Sequence, residues 1–281
     1  MKLVRFGAVG SERPGLVTAD GGIADLSGVI PDVAGAALSP ESLKKIAASD
    51  VAKLPRAPND ARLGACVGGV GKFIAIGLNY ADHAAETGAK IPSEPIVFMK
   101  ATSCIVGPND TVLKPRGSIK MDWEVELGVV IGSVTRYVSE ADAPKHIAGY
   151  CTINDLSERH FQLERGGQWD KGKGCDTFGP LGPWLVTSEE VGDPGNLTMW
   201  LDVNGMRRQN GSTKTMIFKP AFLVHYLSQF MSLHPGDVIT TGTPPGVGMG
   251  IKPEPIFLNV GDVMELGIEK LGKQRQVVAA A

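Results

Sequence analysis

The sequence of 281 residues has few cysteines, no long basic run and no apolar run that approaches the length of a membrane span. Its four cysteines are widely spaced and form no C-x-x-C pair (Cys66, Cys104, Cys151 and Cys175). This spacing disfavours a disulfide framework or a cysteine-ligated zinc site. The opening segment MKLVRFG lacks the apolar region of a signal peptide. We therefore expect a cytoplasmic protein with reduced thiols.

The charge balance excludes two classes of partner, and the composition limits the fold. A net charge of −2 and a pI of about 6.2 disfavour binding to nucleic acid or to an anionic membrane. The 36 glycines and 19 prolines exclude a helical bundle, since both residues break helix interiors. A hydrophobic fraction of 43% rules against disorder. We expect a turn-rich, β-dominated α+β fold.

The chain divides by pattern into a small amino-terminal α/β domain with its linker, residues 1–65, and a larger domain, residues 66–281. In the small domain, residues 3–6, 15–18 and 23–26 are predicted strands. A predicted helix follows Ser39, with Pro40 at its first position. The polar segment 53–64 carries two prolines and is predicted to be a linker. The larger domain shows recurrent strands separated by tight turns, with few helices.

One acidic segment is the most informative part of the larger domain. Residues 123–131 read as a strand, and alternation would place Asp122, Glu124 and Glu126 on one face. Three acids in register repel one another unless a positive group lies among them, and a divalent cation would satisfy this need. A solvated acidic face is the alternative. The spacing alone leaves both interpretations open.

A second polar segment follows an apolar strand. A helix beginning near Asp155 would put Asp155, Arg159 and Gln162 on one face, at i, i+4 and i+7. Asp155 could then complete a metal site, while Arg159 and Gln162 could hold a substrate carboxylate. In the simpler alternative, Asp155 caps the helix and pairs with Arg159 at the surface.

Three further segments carry residues that could take part in catalysis or binding. His83 and Glu86 are three apart on a predicted helix, where a carboxylate would orient the imidazole as a base. Lys173 lies in a glycine-rich loop without the G-K-[ST] element of a phosphate-binding loop, and it could stabilise an enolate. Thr243 lies in a Gly- and Pro-rich loop that could cover a substrate. The alternatives are that His83 and Glu86 form an ordinary surface pair, that Lys173 is an exposed loop lysine, and that the Thr243 loop has no contact with a substrate.

Taken together, the motifs resemble the fumarylacetoacetate hydrolase family. They occur in order across residues 70–270, and an ordered set is far more specific than any one motif. The stretch PGLVTADGGIADLSG near the start is similar to the family's bacterial sugar-acid branch. The motifs are GLNYADHAAE, FMKATSCIVGP, DWEVELGVVIG, NDLSERHFQ, KGKGCDTFGPLGPW, VNGMRRQNGST and PGDVITTGTPPGVG.

The resemblance implies a mixed β-sandwich roll, a homodimer and one Mg²⁺ or Mn²⁺ per site. It implies Glu124, Glu126 and Asp155 as metal ligands. It also implies a water-activating dyad of His83 and Glu86, with Lys173 as the active-site lysine. The residues implied at substrate-contacting positions are Arg159, Gln162, Thr243 and Lys100.

The implied reaction is hydrolysis of the C3–C4 bond of a 2,4-diketo acid to pyruvate and a second acid. The branch suggests a 2,4-diketo-3-deoxy sugar acid derived from L-fuconate or L-rhamnonate, with lactate as the second product. Acylpyruvate hydrolysis, oxaloacetate decarboxylation and diene-dioate isomerisation are alternatives within the family. A non-catalytic protein that binds a metal or small acid is the alternative outside it.

Overall fold

A computed structural model describes residues 1–88 and 90–281, which form seventeen strands and six α-helices. The strands are β1 Lys2–Phe6, β2 Arg13–Val17, β3 Ile23–Asp25, β4 Phe73–Gly77, β5 Ile96–Lys100, β6 Ile105–Val106, β7 Val112–Lys114, β8 Met121–Asp122, β9 Val125–Ile131, β10 Ile147–Asn154, β11 Ser157–Glu158, β12 Gly179–Thr187, β13 Thr198–Val203, β14 Met206–Ser212, β15 Val238–Thr240, β16 Val263–Ile268 and β17 Gly272–Ala280. The helices are α1 Pro40–Ala47, α2 Ala81–Thr87, α3 Arg159–Leu163, α4 Asp170–Lys173, α5 Ser188–Val191 and α6 Pro220–Ser228.

The strands form two main sheets that pack face to face. The larger sheet runs in the order β3-β2-β1-β12-β10-β9-β15-β4-β5, with β6 paired to β12. The second sheet runs β14-β13-β16-β17-β7, and β8 pairs with β11 in a short ribbon. Both sheets contribute to one continuous apolar core, in which every residue of β9 and β10 is buried. The predicted β-dominated fold is confirmed.

Buried glutamines connect the two sheets, since side chains on the second sheet satisfy polar groups on the first. Gln274 of β17 donates to the carbonyl oxygens of Thr152 and Gly182, at 2.7 and 2.8 Å. Gln209 of β14 accepts from the amide of Val125 at 2.9 Å. Because an unpaired polar group would be costly at this depth, these bonds fix how the sheets face each other.

The amino-terminal strands extend the larger sheet, since β1 pairs antiparallel with β12. The helix predicted after Ser39 is present as α1, and the Ser39 side chain accepts from the amide of Ser42. Segment 53–64 packs on these strands: Ala57 is buried, and Leu63 bridges to Phe6. The boundary between residues 65 and 66 remains a prediction.

Two details of the predicted elements are wrong. The predicted strand 123–131 begins two residues late, because β9 starts only at Val125, and a break separates it from β8, which ends at Asp122. Asp155 is not on a helix, since α3 begins at Arg159 and its first turn is capped by the Glu158 side chain. In their place, β8 pairs with β11, Ser157–Glu158, in the short ribbon, whose two strands precede β9 and α3 respectively in the chain.

None of the helices in the described residues is long and apolar enough to cross a membrane.

Candidate active site

The predicted site residues converge on one edge of the larger sheet because of the order and direction of its central strands. β9 runs antiparallel to β10 and β15, and β15 runs parallel to β4. The start of β9 therefore lies beside the ends of β10, β15 and β4. Acidic residues stand at the start of β9 and directly after the end of β10. The end of β15 leads into the loop with Thr243, and the end of β4 leads into the helix with His83.

Three buried carboxylates meet where β9 and β10 adjoin. Because Val125 pairs with Asn154, Glu124 and Asp155 become neighbours, and the Asp155 amide donates to the Glu124 carbonyl at 2.8 Å. Glu126 is the second residue of β9. Glu124, Glu126 and Asp155 each offer an oxygen, and these atoms all lie within 4.8 Å of one another.

The Glu126 carboxylate is held by the end of β15. The Thr240 hydroxyl and the Gly242 amide both donate to its Oε2, at 2.5 and 2.7 Å. Burial, and then the negative charges of Asp155 and Glu124, raise the pKa of Glu126 well above its ordinary value. Burial and the two neighbouring carboxylates thus disfavour the charged form of Glu126.

Buried cationic side chains lie against the other two carboxylates of the triad. Lys173 Nζ lies 2.7 Å from Glu124 Oε2 and 2.6 Å from Asp155 Oδ2, and Arg159 Nη2 lies 2.5 Å from Glu124 Oε1. Burial alone would raise the pKa of Glu124, but Lys173 and Arg159 outweigh it and hold the pKa well below its ordinary value. Arg159 is buried and so is not the surface partner of Asp155 that the simpler interpretation expected.

The donor set of the triad fits a divalent cation. Hard cations such as Mg²⁺ and Mn²⁺ prefer carboxylate oxygens, and three carboxylates are buried here within reach of one ion. A cation among the three carboxylates would offset the burial and the mutual repulsion that raise the pKa of Glu126. Glu124, Glu126 and Asp155 would hold the ion.

His83 and Glu86 lie on α2 and form the predicted pair. His83 Nδ1 lies 3.1 Å from Glu86 Oε2, and the imidazole is buried. The Glu86 carboxylate also accepts from the Gly246 amide, at 3.1 and 3.2 Å to its two oxygens. Glu86 therefore orients the imidazole and also anchors the loop that follows Thr243.

A single cavity of about 230 Å³ collects most of the predicted residues. Its polar lining is His83, Glu124, Glu126, Asp155, Arg159, Gln162, Lys173 and Thr243. Gln162 accepts from Arg159 Nη1 at 3.1 Å. The Thr243 hydroxyl donates to the Val125 carbonyl at 2.9 Å and accepts from Gln209, so its proton is engaged within the protein.

Lys100 is not part of the cavity lining. Its Nζ lies 2.6 Å from Asp155 Oδ1 and donates to the Lys173 carbonyl at 2.5 Å and to the Leu156 carbonyl at 3.3 Å. These contacts orient a triad member and fix the end of α4. In this structure Lys100 contacts neighbouring site residues, whereas the family resemblance implied a substrate contact.

Asp122, which alternation along the strand placed on one face with Glu124 and Glu126 and which the family resemblance left out, is a fully buried neighbour of the site. Its carboxylate accepts from Arg159 Nε at 2.8 Å and from the amides of Gly248 and Met249, at 2.6 and 3.0 Å. Asp122 thus connects Arg159 to the loop that carries Met249. An acid two residues before an E-x-E pair was the only sequence signal for this role.

Comparison with known proteins points to one family. The sequence profile described as fumarylacetoacetate (FAA) hydrolase C-terminal matches residues 72–279. A protein of Burkholderia multivorans, whose name describes it provisionally as a hydrolase, is 61% identical over 281 residues and covers 100% of both chains.

Solved structures with the same fold carry more specific names. The fumarylacetoacetate hydrolase of Exiguobacterium antarcticum has a TM-score of 0.89 at 35% identity and covers 100% of both chains. A maleylpyruvate hydrolase of Sphingobium sp. SYK-6, in complex with manganese(II) and pyruvate, has a TM-score of 0.83 at 29% identity, again with 100% of both chains. A 2-hydroxyhepta-2,4-diene-1,7-dioate isomerase of Mycobacterium marinum has a TM-score of 0.76 at 30% identity over 100% of this chain and 98% of that one.

Proposed function

The chain belongs to the fumarylacetoacetate hydrolase family, and from this premise we propose that it hydrolyses the C3–C4 bond of a 2,4-diketo acid. The products are pyruvate and a second carboxylic acid. Within this class we propose 2,4-diketo-3-deoxy sugar acids, such as the L-fuconate or L-rhamnonate derivatives, because the amino-terminal stretch resembles that branch. Lactate is then the second product.

The observation that carries the proposal is that one cavity contains both an acidic triad and a candidate base. Glu124, Glu126 and Asp155 line the cavity together with His83, whose imidazole is paired with Glu86. A protein that only binds a metal or a small acid would need the triad but not the oriented imidazole. An oriented imidazole beside the same cavity supports a reaction in which water loses a proton.

The cationic side chains suit an anionic 2-oxo acid. Arg159 lines the cavity beside Gln162, and Lys173 bridges Glu124 and Asp155. A divalent cation on the triad would supply Lewis-acid polarisation of the bound 2-oxo acid. Arg159 and Gln162 would orient the substrate carboxylate, and the Lys173 ammonium would stabilise negative charge on the 2-oxo oxygen.

The proposed chemistry balances with water as the only co-reactant. His83 takes a proton from water, and the water oxygen forms a bond to C4. The C3–C4 bond then breaks with its electron pair moving to C3, which gives the enolate of pyruvate. Water then protonates C3 of the enolate, and His83 returns its proton to the hydroxide that this leaves, so that pyruvate and the second acid depart and the imidazole is neutral again.

The test is a substrate panel in the presence of Mg²⁺ or Mn²⁺, with pyruvate release and isotope incorporation as readouts. The panel contains acetylpyruvate, 2,4-diketo-3-deoxy-L-fuconate and L-rhamnonate, oxaloacetate and a diene-dioate. In ¹⁸O-water, hydrolysis places the label in the carboxylate of the second acid. We expect labelled product from the diketo acids.

Other outcomes on the same panel would contradict the proposal. Pyruvate from oxaloacetate alone would favour decarboxylation, and conversion of the diene-dioate without label would favour isomerisation. Binding of pyruvate or oxalate without turnover of any compound would favour a non-catalytic protein. Full metal-dependent activity in Glu124→Ala would refute the assignment of that ligand.

A further inference from the structure

The cavity has a second wall that the proposed chemistry does not use. Besides the charged groups, its lining includes large apolar side chains from four separate stretches of the chain. These residues are Leu78, Phe98, Leu163, Trp169 and Met249. We call them the apolar wall. Because these side chains are apolar, they suit a part of the ligand other than the polar group that binds at the triad.

Phe98 and Trp169 form the centre of the apolar wall. Their rings meet edge to face with centroids 5.2 Å apart and an interplanar angle of 66°. The Phe98 ring centroid is also 5.4 Å from Lys173 Nζ, so this ring adjoins the charged end of the cavity. A substrate held by its 2-oxo acid group at the charged end therefore has aromatic rings within reach of its remaining atoms.

A glycine makes room for the Trp169 ring. A Cβ at Gly77 would lie 2.6 Å from Cζ3 of Trp169, so the indole rests directly on the backbone where β4 ends. Leu78 follows with a φ of 50°, a left-handed conformation that a leucine rarely adopts. The chain thus accepts an unfavourable backbone conformation at the position where Leu78 faces the cavity.

The charges of the cavity lining are unevenly placed. Among the described residues that line it, the cationic side chains are Arg159 and Lys173, and carboxylates already engage both. The apolar wall offers no cationic group and no side-chain hydrogen-bond donor apart from the Trp169 indole. A second carboxylate on the acyl end of a substrate would lose water there without gaining an ion pair.

We propose that this site selects 2,4-diketo acids whose acyl group is short, uncharged and apolar at its end, with Phe98 and Trp169 as specificity-determining residues. The proposal rests on the proposed function and names its substrate class more narrowly. A 6-deoxy sugar acid meets the requirement with its terminal methyl group. Substrates with a second terminal carboxylate do not meet it.

A matched substrate pair tests the selectivity. Butanoylpyruvate and succinylpyruvate have the same carbon skeleton and differ only in a terminal methyl or carboxylate. We expect kcat/KM to favour butanoylpyruvate by about tenfold or more. Equal values, or a preference for succinylpyruvate, would overturn the proposal.

A charged substitution in the apolar wall tests the location. Leu163 is 44% exposed at the end of α3, so Leu163→Arg is compatible with folding. It should move the kcat/KM ratio toward succinylpyruvate by about tenfold. Val260→Arg, at a site 57% exposed and outside the cavity lining, is the matched control and should leave the ratio unchanged. Equal ratios in the two variants would refute the role of this wall.

Binding separates this proposal from the proposed function. The dissociation constants of both acids are measured by calorimetry on the His83→Gln variant with Mn²⁺ present. If neither acid is hydrolysed by the unmodified protein, the proposed hydrolase activity is wrong. The ratio of dissociation constants then still decides the selectivity, since tighter binding of succinylpyruvate or equal binding would overturn it.

Discussion

Asp122 Oδ2 accepts a hydrogen bond from Arg159 Nε at 2.8 Å, and both side chains are almost completely buried. The same carboxylate accepts from the backbone amides of Gly248 and Met249. The orientation of the guanidinium and the position of the Met249 loop therefore depend on one side chain. Asp122 acts through Arg159 and has no place in the cavity lining itself.

Asp122→Asn tests this positioning role. An amide that keeps its oxygen toward Gly248 points its N–H toward both Arg159 Nε and the Met249 amide, so that donors oppose one another. A buried unsatisfied donor costs about 1–3 kcal/mol. We expect kcat/KM to fall about 10- to 100-fold, mainly through KM, because Arg159 is the proposed carboxylate contact.

The control for Asp122→Asn is Asp20→Asn, which removes the charge of an exposed carboxylate paired with Arg56. That variant should keep both kinetic constants, because an exposed ion pair contributes little. A fall in kcat with KM unchanged would argue against a positioning role for Asp122. Steady-state kinetics on one substrate suffices for the comparison.

His83→Ala should separate hydrolysis from enolate formation. Removal of a general base costs about 10²- to 10⁴-fold in hydrolysis, whereas exchange of the pyruvate methyl protons with D₂O should fall much less. Exchange is followed by NMR and hydrolysis by pyruvate release. Glu86→Gln keeps an acceptor oxygen for Gly246 but lacks the charge beside His83. Its rate of hydrolysis should lie between those of the unmodified protein and of His83→Ala. Equal losses in both reactions would rule out the base role.

Thermal unfolding should report cation binding independently of activity. After treatment with a chelator, added Mn²⁺ or Mg²⁺ should raise Tm, because a ligand at about 100 times its Kd stabilises by about 2.7 kcal/mol. Glu126→Ala should abolish this response. Glu164→Ala removes an exposed carboxylate that pairs with Lys120 and should retain it. A full response in Glu126→Ala would mean that the cation binds elsewhere.

The sequence identified most of the candidate site because its residues lie at the ends of strands in separate motifs. Eight of the ten predicted residues line the same cavity, and the remaining two, Glu86 and Lys100, contact residues that do. Alternation along a strand correctly associated Glu124 with Glu126. It could not indicate that Asp155 is their neighbour, since that follows from the register of Val125 with Asn154.

Two features lay beyond the reach of sequence patterns. The break before Val125 depends on the pairing of β8 with β11, and it directs Asp122 toward Arg159 instead of the triad. The apolar wall combines residues from four stretches, each of which has only an ordinary hydrophobic pattern. Such groupings arise from the packing of elements that are distant in the chain, and local periodicity carries no information about them.

Gly246 provides a final test, because its backbone conformation holds the loop against Glu86. Its φ is +102°, and a Cβ would lie 1.9 Å from the Arg208 carbonyl oxygen. Gly246→Ala should therefore lower Tm and also reduce kcat, since the displaced amide no longer supports the carboxylate beside His83. Gly261→Ala is the matched control, with a φ of +94° and nothing within 4 Å of the added Cβ. It should cost only about 1 kcal/mol of backbone strain and leave kcat unchanged. If the two variants lose the same stability and both keep kcat, then the close approach to Arg208 does not hold the loop, and Glu86 positions His83 without its help.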